Sequence, residues 1–230
     1  PEKIRQILDV LGEERSSLLS VKMRIGFEDD RFFEPILGII AESDVGLVSI
    51  HARTVRGGYQ SEPSYRHVAK AVRFLPCPVL LNGSVETASH AVRLREETGV
   101  HGVMIGRSAI RNPWVFRQIR ELQSGCEIFR PKLEDLYGYV EDLYRSLDKP
   151  GIPEVRLVAR MKKFLNYVGL SVDSEGAFLH AMRRSKTRSE LFGICEEYMK
   201  KKGRADEDYS LEPFAHLARP KIKSCSEGLS

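Results

Sequence analysis

Pro78-Val79-Leu80-Leu81-Asn82-Gly83 sets a short apolar run between a proline that stops the preceding helical pattern and an Asn-Gly pair that ends it abruptly. Continuous apolar runs of this length suit a strand covered on both faces, as in a parallel sheet. Similar runs, each closing on a polar signature, flank it. Upstream stand Val21-Lys22-Met23-Arg24 and Leu47-Val48-Ser49-Ile50-His51-Ala52-Arg53-Thr54; downstream, Val103-Met104-Ile105-Gly106-Arg107 leads to Asn112-Pro113-Trp114. Lys22 to His51 is 29 residues, His51 to Asn82 is 31, and Asn82 to Arg107 is 25. That pace fits a strand, a crossover helix and two loops. The pattern predicts strands over 18–25, 47–51, 79–81 and 103–105, with helices over 32–40, 65–74 and 86–98, the last ended by Gly99. In such a fold the carboxyl ends of four parallel strands meet on one rim, the side of α/β folds that carries chemistry.

Beyond Trp114 the alternation stops. Leu133, Leu136, Tyr137, Val140, Leu143, Tyr144 and Leu147 recur at helical steps, as do Leu157, Met161, Phe164, Leu165 and Val168. The expected organisation is an α/β part over residues 1–120, an all-α domain over 127–205 and a poorly ordered tail over 206–230, where proline, serine and charge replace periodicity. Ser124-Gly125 and Pro131 punctuate the junction, and Thr187-Arg188-Ser189-Glu190 reads as a capping box. No apolar run approaches the roughly 20 residues of a membrane span. Cys77, Cys126, Cys195 and Cys225 form no Cys-x-x-Cys pair, which argues against a zinc site and a disulfide framework and favours a reducing cytoplasm. The chain opens at Pro1 directly into an amphipathic pattern of Ile4, Ile7, Leu8 and Leu11, so it reads as the middle of a longer protein.

Taken singly, each signature has an ordinary reading. Lys22 suits a surface lysine or a carboxylate partner, His51 a structural histidine, Asn82-Gly83 a tight turn and Gly106-Arg107 an unexceptional loop. Their joint position at four successive strand ends shifts the weight, because unrelated accidents would have to fall on one rim. Gly83, Ser84, Gly106 and Arg107, on adjacent strand-end loops, can aim backbone N–H groups and a guanidinium at one phosphate. A lysine from an earlier strand can set its charge beside a flavin ring. By residue chemistry alone this is one flavin or phosphate barrel among many.

Residues 18–117 resemble the second half of a tRNA-dihydrouridine synthase. The likeness is carried by Val21-Lys22-Met23-Arg24-Ile25-Gly26, His51-Ala52-Arg53-Thr54, Pro78 through Gly83, and Val103 through Ala109 with Asn112-Pro113-Trp114. It implies the last four strand-helix units of a (β/α)8 barrel followed by a helical tRNA-binding domain. It also implies FMN as cofactor, NADPH as reductant, and reduction of a tRNA uridine to 5,6-dihydrouridine, the base being turned out of the folded RNA. By motif, Lys22, His51, Asn82, Gly83, Ser84, Gly106 and Arg107 would hold the cofactor. Arg24, Arg53, Arg183 and Arg184 would order the site or approach the RNA.

Two departures stand out. After Thr54 the chain runs Tyr59-Gln60-Ser61-Glu62-Pro63-Ser64-Tyr65 instead of the family's usual tyrosine-glycine and alanine-aspartate-tryptophan stretch. The family's proton-donating cysteine would lie upstream of Pro1, so this portion alone is expected to be inactive and to hold no catalytic residue. Charge is segregated: residues 154–204 carry 12 Lys and Arg against 6 Asp and Glu, in a chain of net +4. A tRNA-facing surface fits this, as does a plain solvated helix face. The rival functions are a flavin barrel acting on a small molecule and a tRNA-binding remnant without catalysis.

Overall fold

A computed structural model describes residues 1–13, 17–201 and 203–217. They form two compact units, one within Pro1–Ile105 and one within Gly106–Pro220.

The first unit alternates helix and strand: α1 (Glu2–Glu13), β1 (Leu19–Arg24), α2 (Phe33–Glu42), β2 (Val45–His51), α3 (Tyr65–Phe74), β3 (Val79–Asn82), α4 (Ala88–Thr98) and β4 (Gly102–Met104). The strands pair in chain order, β1-β2-β3-β4, and every pair is parallel. The expected strands are thus present, with bounds moved by a residue or two. Because side chains alternate across a strand, Val48, Ile50, Val79 and Leu81 share one face, and all four are fully buried. The helices bring Phe33, Leu37, Ile40, Val68, Ala71, Ala91 and Leu94 into the same core. Helix ends follow their local chemistry. Thr87 Oγ1 accepts from the His90 N–H at 3.1 Å to open α4, and Gly99 closes it in the left-handed conformation at φ 73°.

The opposite face carries Ser20, Lys22 and Arg24 on β1. Lys22 is exposed there. The reason is physical: among the described residues, no layer covers that side of β1.

In the second unit the described residues form α5 (Arg107–Arg111), α6 (Val115–Gln123), α7 (Leu133–Leu147), α8 (Glu154–Val168), a 3-10 turn (Gly169–Ser171), α9 (Ala177–Arg184) and α10 (Arg188–Met199). Leu133, Leu136 and Val140 of α7, Leu157, Met161 and Leu165 of α8, Phe178 and Met182 of α9, and Leu191 and Cys195 of α10 make one core. At 187–190 only half of the expected capping box forms. Thr187 Oγ1 accepts from Glu190 N–H, but the Glu190 carboxylate takes the N–H of Lys186.

Two boundaries differ from expectation. The units divide after Ile105, upstream of residue 120, because α5 and the Asn112-Pro113-Trp114 segment are bonded to the helices that follow. Arg111, buried, donates to Ser171 Oγ at 3.0 Å and to the Leu211 carbonyl at 2.8 Å. Asn112 donates to Gln118 Oε1 at 2.7 Å, Tyr139 Oη donates to the Ile110 carbonyl, and Trp114 lies against Phe129 and Tyr139. The second difference concerns the tail. Residues 206–217 are packed: Asp208 bridges Lys132, Phe214 N–H bonds the Leu170 carbonyl, and Tyr209 is only 2% exposed. Periodicity could not announce this segment, since it is held by single anchors. Residues 218–230, with Cys225, lie outside the described residues.

The Tyr209 hydroxyl sits 2.9 Å from the Arg111 carbonyl and 3.0 Å from that of Val168, so its single proton is shared between the two acceptors. Tyr209→Phe keeps the ring and strips these buried acceptors of their donor, so it is expected to cost about 1–3 kcal/mol. Urea unfolding midpoints of the two proteins would measure it, and equal midpoints would contradict this anchoring.

Candidate functional site

The strand register builds the rim. Arg24 is paired with His51, His51 with Asn82, and Asn82 with Met104, so these four residues form one rung at the carboxyl ends of β1 to β4. Two residues down, and so the next rung facing the same side, stand Lys22, Ser49, Leu80 and Gly102. Arg24, not Lys22, is therefore the cation level with His51, while Lys22 stands on the same face one layer deeper.

Each member of the rim is fixed by a neighbouring loop. Arg24 Nη1 donates to the Thr54 carbonyl at 3.0 Å, and the N–H groups of Val55 and Arg56 reach the carbonyls of Gly26 and Phe27, tying the loop after β2 to that after β1. His67 strengthens the tie. Its Nδ1 hydrogen-bonds Ser64 Oγ at 2.7 Å and its Nε2 pairs with Asp30 at 2.8 Å. His51 is 6% exposed, with the Tyr59 ring edge-on at 6.2 Å. Asn82 donates to the Met104 carbonyl at 2.7 Å, which holds β4 in register and directs the amide.

Past Asn82 the backbone turns sharply. Gly83 has φ 120° and Ser84 φ 52°. A Cβ at Gly83 would make only ordinary contacts with the Ala52 nitrogen at 3.4 Å and His51 Cε1 at 3.6 Å, so it is the backbone conformation, which only glycine adopts readily, that calls for glycine here. Ser84 in the left-handed region costs roughly 1 kcal/mol, which its contacts must offset. Those contacts come from β2's side. Arg53 Nη2 donates to Ser84 Oγ at 2.7 Å and Arg53 Nε to the Ser61 carbonyl at 2.5 Å, while Tyr65 Oη donates to the Gly83 carbonyl at 3.0 Å.

Arg53 is 4% exposed, so its guanidinium is turned into the protein. An approach to RNA, one of the two roles expected for it, needs an exposed head group and does not fit this burial; ordering the site does. Tyr65 and Ser61 were missed by sequence reasoning. The only signal was Tyr65's place at the start of the helix after the β2 loop. The Ser64–His67–Asp30 chain left no signal, since it joins residues 37 apart.

Gly106 and Arg107 open the second unit. Gly106 precedes α5 and Arg107 is its first residue; both are exposed. Arg183 and Arg184 end α9 on the surface of the same unit. Arg183 Nε donates to Asn166 Oδ1 at 2.8 Å and Lys162 Nζ to the Ser185 carbonyl at 2.8 Å, so α8 and the end of α9 share a basic surface. Burial pushes Cys195 up to about 12 and also raises Cys77; Cys126 is exposed in the α6–α7 connection. Among the described residues there is no cluster of His, Cys, Asp and Glu that could hold a metal, and no helix is long and apolar enough to cross a membrane.

The family model of dihydrouridine synthase (Dus) matches residues 1–202. The chain belongs to the dihydrouridine synthase family. Among curated relatives it is similar to a probable tRNA-dihydrouridine synthase of Aquifex aeolicus, 35% identical over 103 residues, covering 45% of this chain and 32% of that protein. It is also similar to tRNA-dihydrouridine synthase B of Xanthomonas axonopodis pv. citri, 24% identical over 203 residues, covering 86% of the chain and 60% of the relative. A tRNA-dihydrouridine(16) synthase of Neisseria meningitidis is 24% identical with the same coverage of each chain. The chain thus spans between about a third and three-fifths of the length of these relatives.

Burial pushes the Tyr65 hydroxyl up to about 12, against a weaker opposing pull from Arg53. Because the folded value is raised above the ordinary value of about 10, the bond to Gly83 is fully present below pH 10 and is lost as pH rises through about 12. The difference in ultraviolet titration between the wild-type protein and Tyr65→Phe is expected to centre near pH 12. A midpoint near 10 would mean that the hydroxyl is not held.

Proposed function

We propose that this chain carries flavin- and RNA-binding elements of a tRNA-dihydrouridine synthase, which reduces a uridine of tRNA to 5,6-dihydrouridine in the cytoplasm with FMN as cofactor and NADPH as reductant. The supporting observation is the single rung of Arg24, His51 and Asn82 beside the strained Gly83–Ser84 turn, in a chain of this family. We read the four parallel strands as part of a (β/α)8 ring and the α7 to α10 region as the helical tRNA-binding domain. In support, β1 and β4 each have one strand neighbour among the described residues.

The residues fit FMN. Gly83 presents bare backbone in a conformation that only glycine adopts readily, and the turn it begins suits a phosphate. Lys22 would set its ammonium on the inner face beneath the ring, where positive charge stabilises an electron-rich flavin edge. His51 and Asn82 would orient the ring and ribityl chain, and Gly83 and Ser84 would bind the phosphate through N–H and O–H groups. Gly106 and Arg107 join this assignment on their motif alone. When bound, FMN supplies the hydride chemistry that no amino-acid side chain offers.

The second half of the reaction is delivery of a proton to the neighbouring uracil carbon. We assign it to none of the described thiols: burial raises both Cys195 and Cys77, which disfavours their thiolates, and Cys126 belongs to a connecting loop. Arg183 and Arg184, with Arg160 of α8, are exposed cations suited to tRNA phosphates.

Dihydrouridine content of tRNA from cells lacking the gene is the direct test. The complete gene product is expected to restore it, and Lys22→Ala to restore less than about a hundredth, the scale of one lost electrostatic contact to the reacting group. A deletion strain with unchanged dihydrouridine would contradict the assignment. For the RNA surface, Arg183→Ala combined with Arg184→Ala should weaken tRNA binding and lower the slope of log affinity against log salt by about 1–2. An unchanged slope would leave these arginines as ordinary surface residues.

A further inference from the structure

Ser84 is the one non-glycine residue with positive φ among the described residues, and it lies where the rim would meet an anion. Two residues of the β2 side grip the turn at successive positions. Tyr65 Oη holds the Gly83 carbonyl at 3.0 Å, and Arg53 Nη2 holds Ser84 Oγ at 2.7 Å while its Nε is anchored on the Ser61 carbonyl. Arg53 is almost wholly buried, so it cannot itself serve as an outward-facing ligand.

We propose that Arg53 and Tyr65 are positioning residues that set the polarity of the Gly83–Ser84 turn for phosphate, an assignment resting on the flavin reading above. A trans peptide is planar, with its C=O and the following N–H pointing in opposite directions. Fixing the Gly83 carbonyl toward Tyr65 therefore turns the Ser84 N–H away from α3. The hydroxyl is polarised in the same sense. Ser84 Oγ accepts from the guanidinium, which commits a lone pair inward and leaves its own proton to donate outward. The buried positive charge behind it makes that proton a better donor to an anion. A turn that would otherwise flip between peptide orientations thus presents two donors side by side. The same guanidinium, through Ser61, links this turn to the loop where the chain departs from its family's usual sequence.

The test compares FMN with riboflavin, which lacks only the phosphate, by quenching of flavin fluorescence in the complete gene product. Tyr65→Phe and Arg53→Gln are each expected to weaken FMN about tenfold, the scale of a charge-assisted hydrogen bond, and to leave riboflavin within about twofold. A merely structural role would weaken both ligands together. That outcome, or an FMN preference that survives both substitutions, overturns the positioning role. Wild-type protein that binds FMN no better than riboflavin would instead remove the flavin reading beneath it. Amide exchange at Ser84 and Val85, measured without any flavin, tests the grip separately. It is expected to accelerate in Tyr65→Phe, which deletes one oxygen from an otherwise intact fold, and unchanged exchange overturns the grip.

Discussion

Parallel pairing in strict chain order is the constraint from which the rest follows. When β1 to β4 lie side by side in one direction, every carboxyl end reaches the same edge, and residues 22 to 31 apart in sequence become rung neighbours. Arg24, His51, Asn82 and Met104 are brought level by backbone hydrogen bonds alone, before any side chain acts. The apolar face of each strand is buried against the helices, which fixes the register, because a slip by one residue would exchange Val48 and Ile50 for Ser49 and His51 in the core. The same alternation that stabilises the sheet thus directs the polar residues to the other side.

Onto this edge the loops are fastened in sequence. Arg24 holds the loop after β2; Arg53 and Tyr65, from that loop and the helix after it, hold the turn after β3; Asn82 holds β4. Each residue of the rim therefore depends on the next strand's loop, and most of the polar groups are engaged with one another. An edge organised this way is rigid where a ligand would touch it, and the left-handed backbone at Ser84 is held by that rigidity.

Much of this architecture was legible in the sequence. Apolar runs at regular spacing marked the four strands, and three- and four-residue steps marked α7 and α8, because both patterns record burial directly. The motifs put Lys22, His51, Asn82 and Gly83 toward one edge of the sheet, where the structure has them. What escaped was the depth of each residue on that edge. Lys22 and Arg24 look equivalent in an alternating strand, and only the register sets Arg24 beside His51. Arg53 was harder still, since an arginine in a loop suggests exposure, and its burial is created by carbonyl and hydroxyl acceptors 8 and 31 residues away. The segment 206–217 escaped for a related reason. Its hold comes from Tyr209 and a few backbone bonds, which leave no periodic trace.

That strap has a consequence for how the protein is made. Arg111 bonds to Leu211, 100 positions later, and Tyr209 reaches back 98 to the Arg111 carbonyl. A chain emerging from the ribosome at about 5–20 residues per second leaves α5 waiting roughly 5–20 s for these partners. During that interval the Arg111 carbonyl lacks its donor and the guanidinium lacks the Leu211 acceptor, so the helices between can collapse on their apolar faces but cannot lock. Completion of the helical unit is thereby deferred until the strap has been synthesised. A nonsense codon just before position 209 becomes more damaging than the residues it removes would suggest.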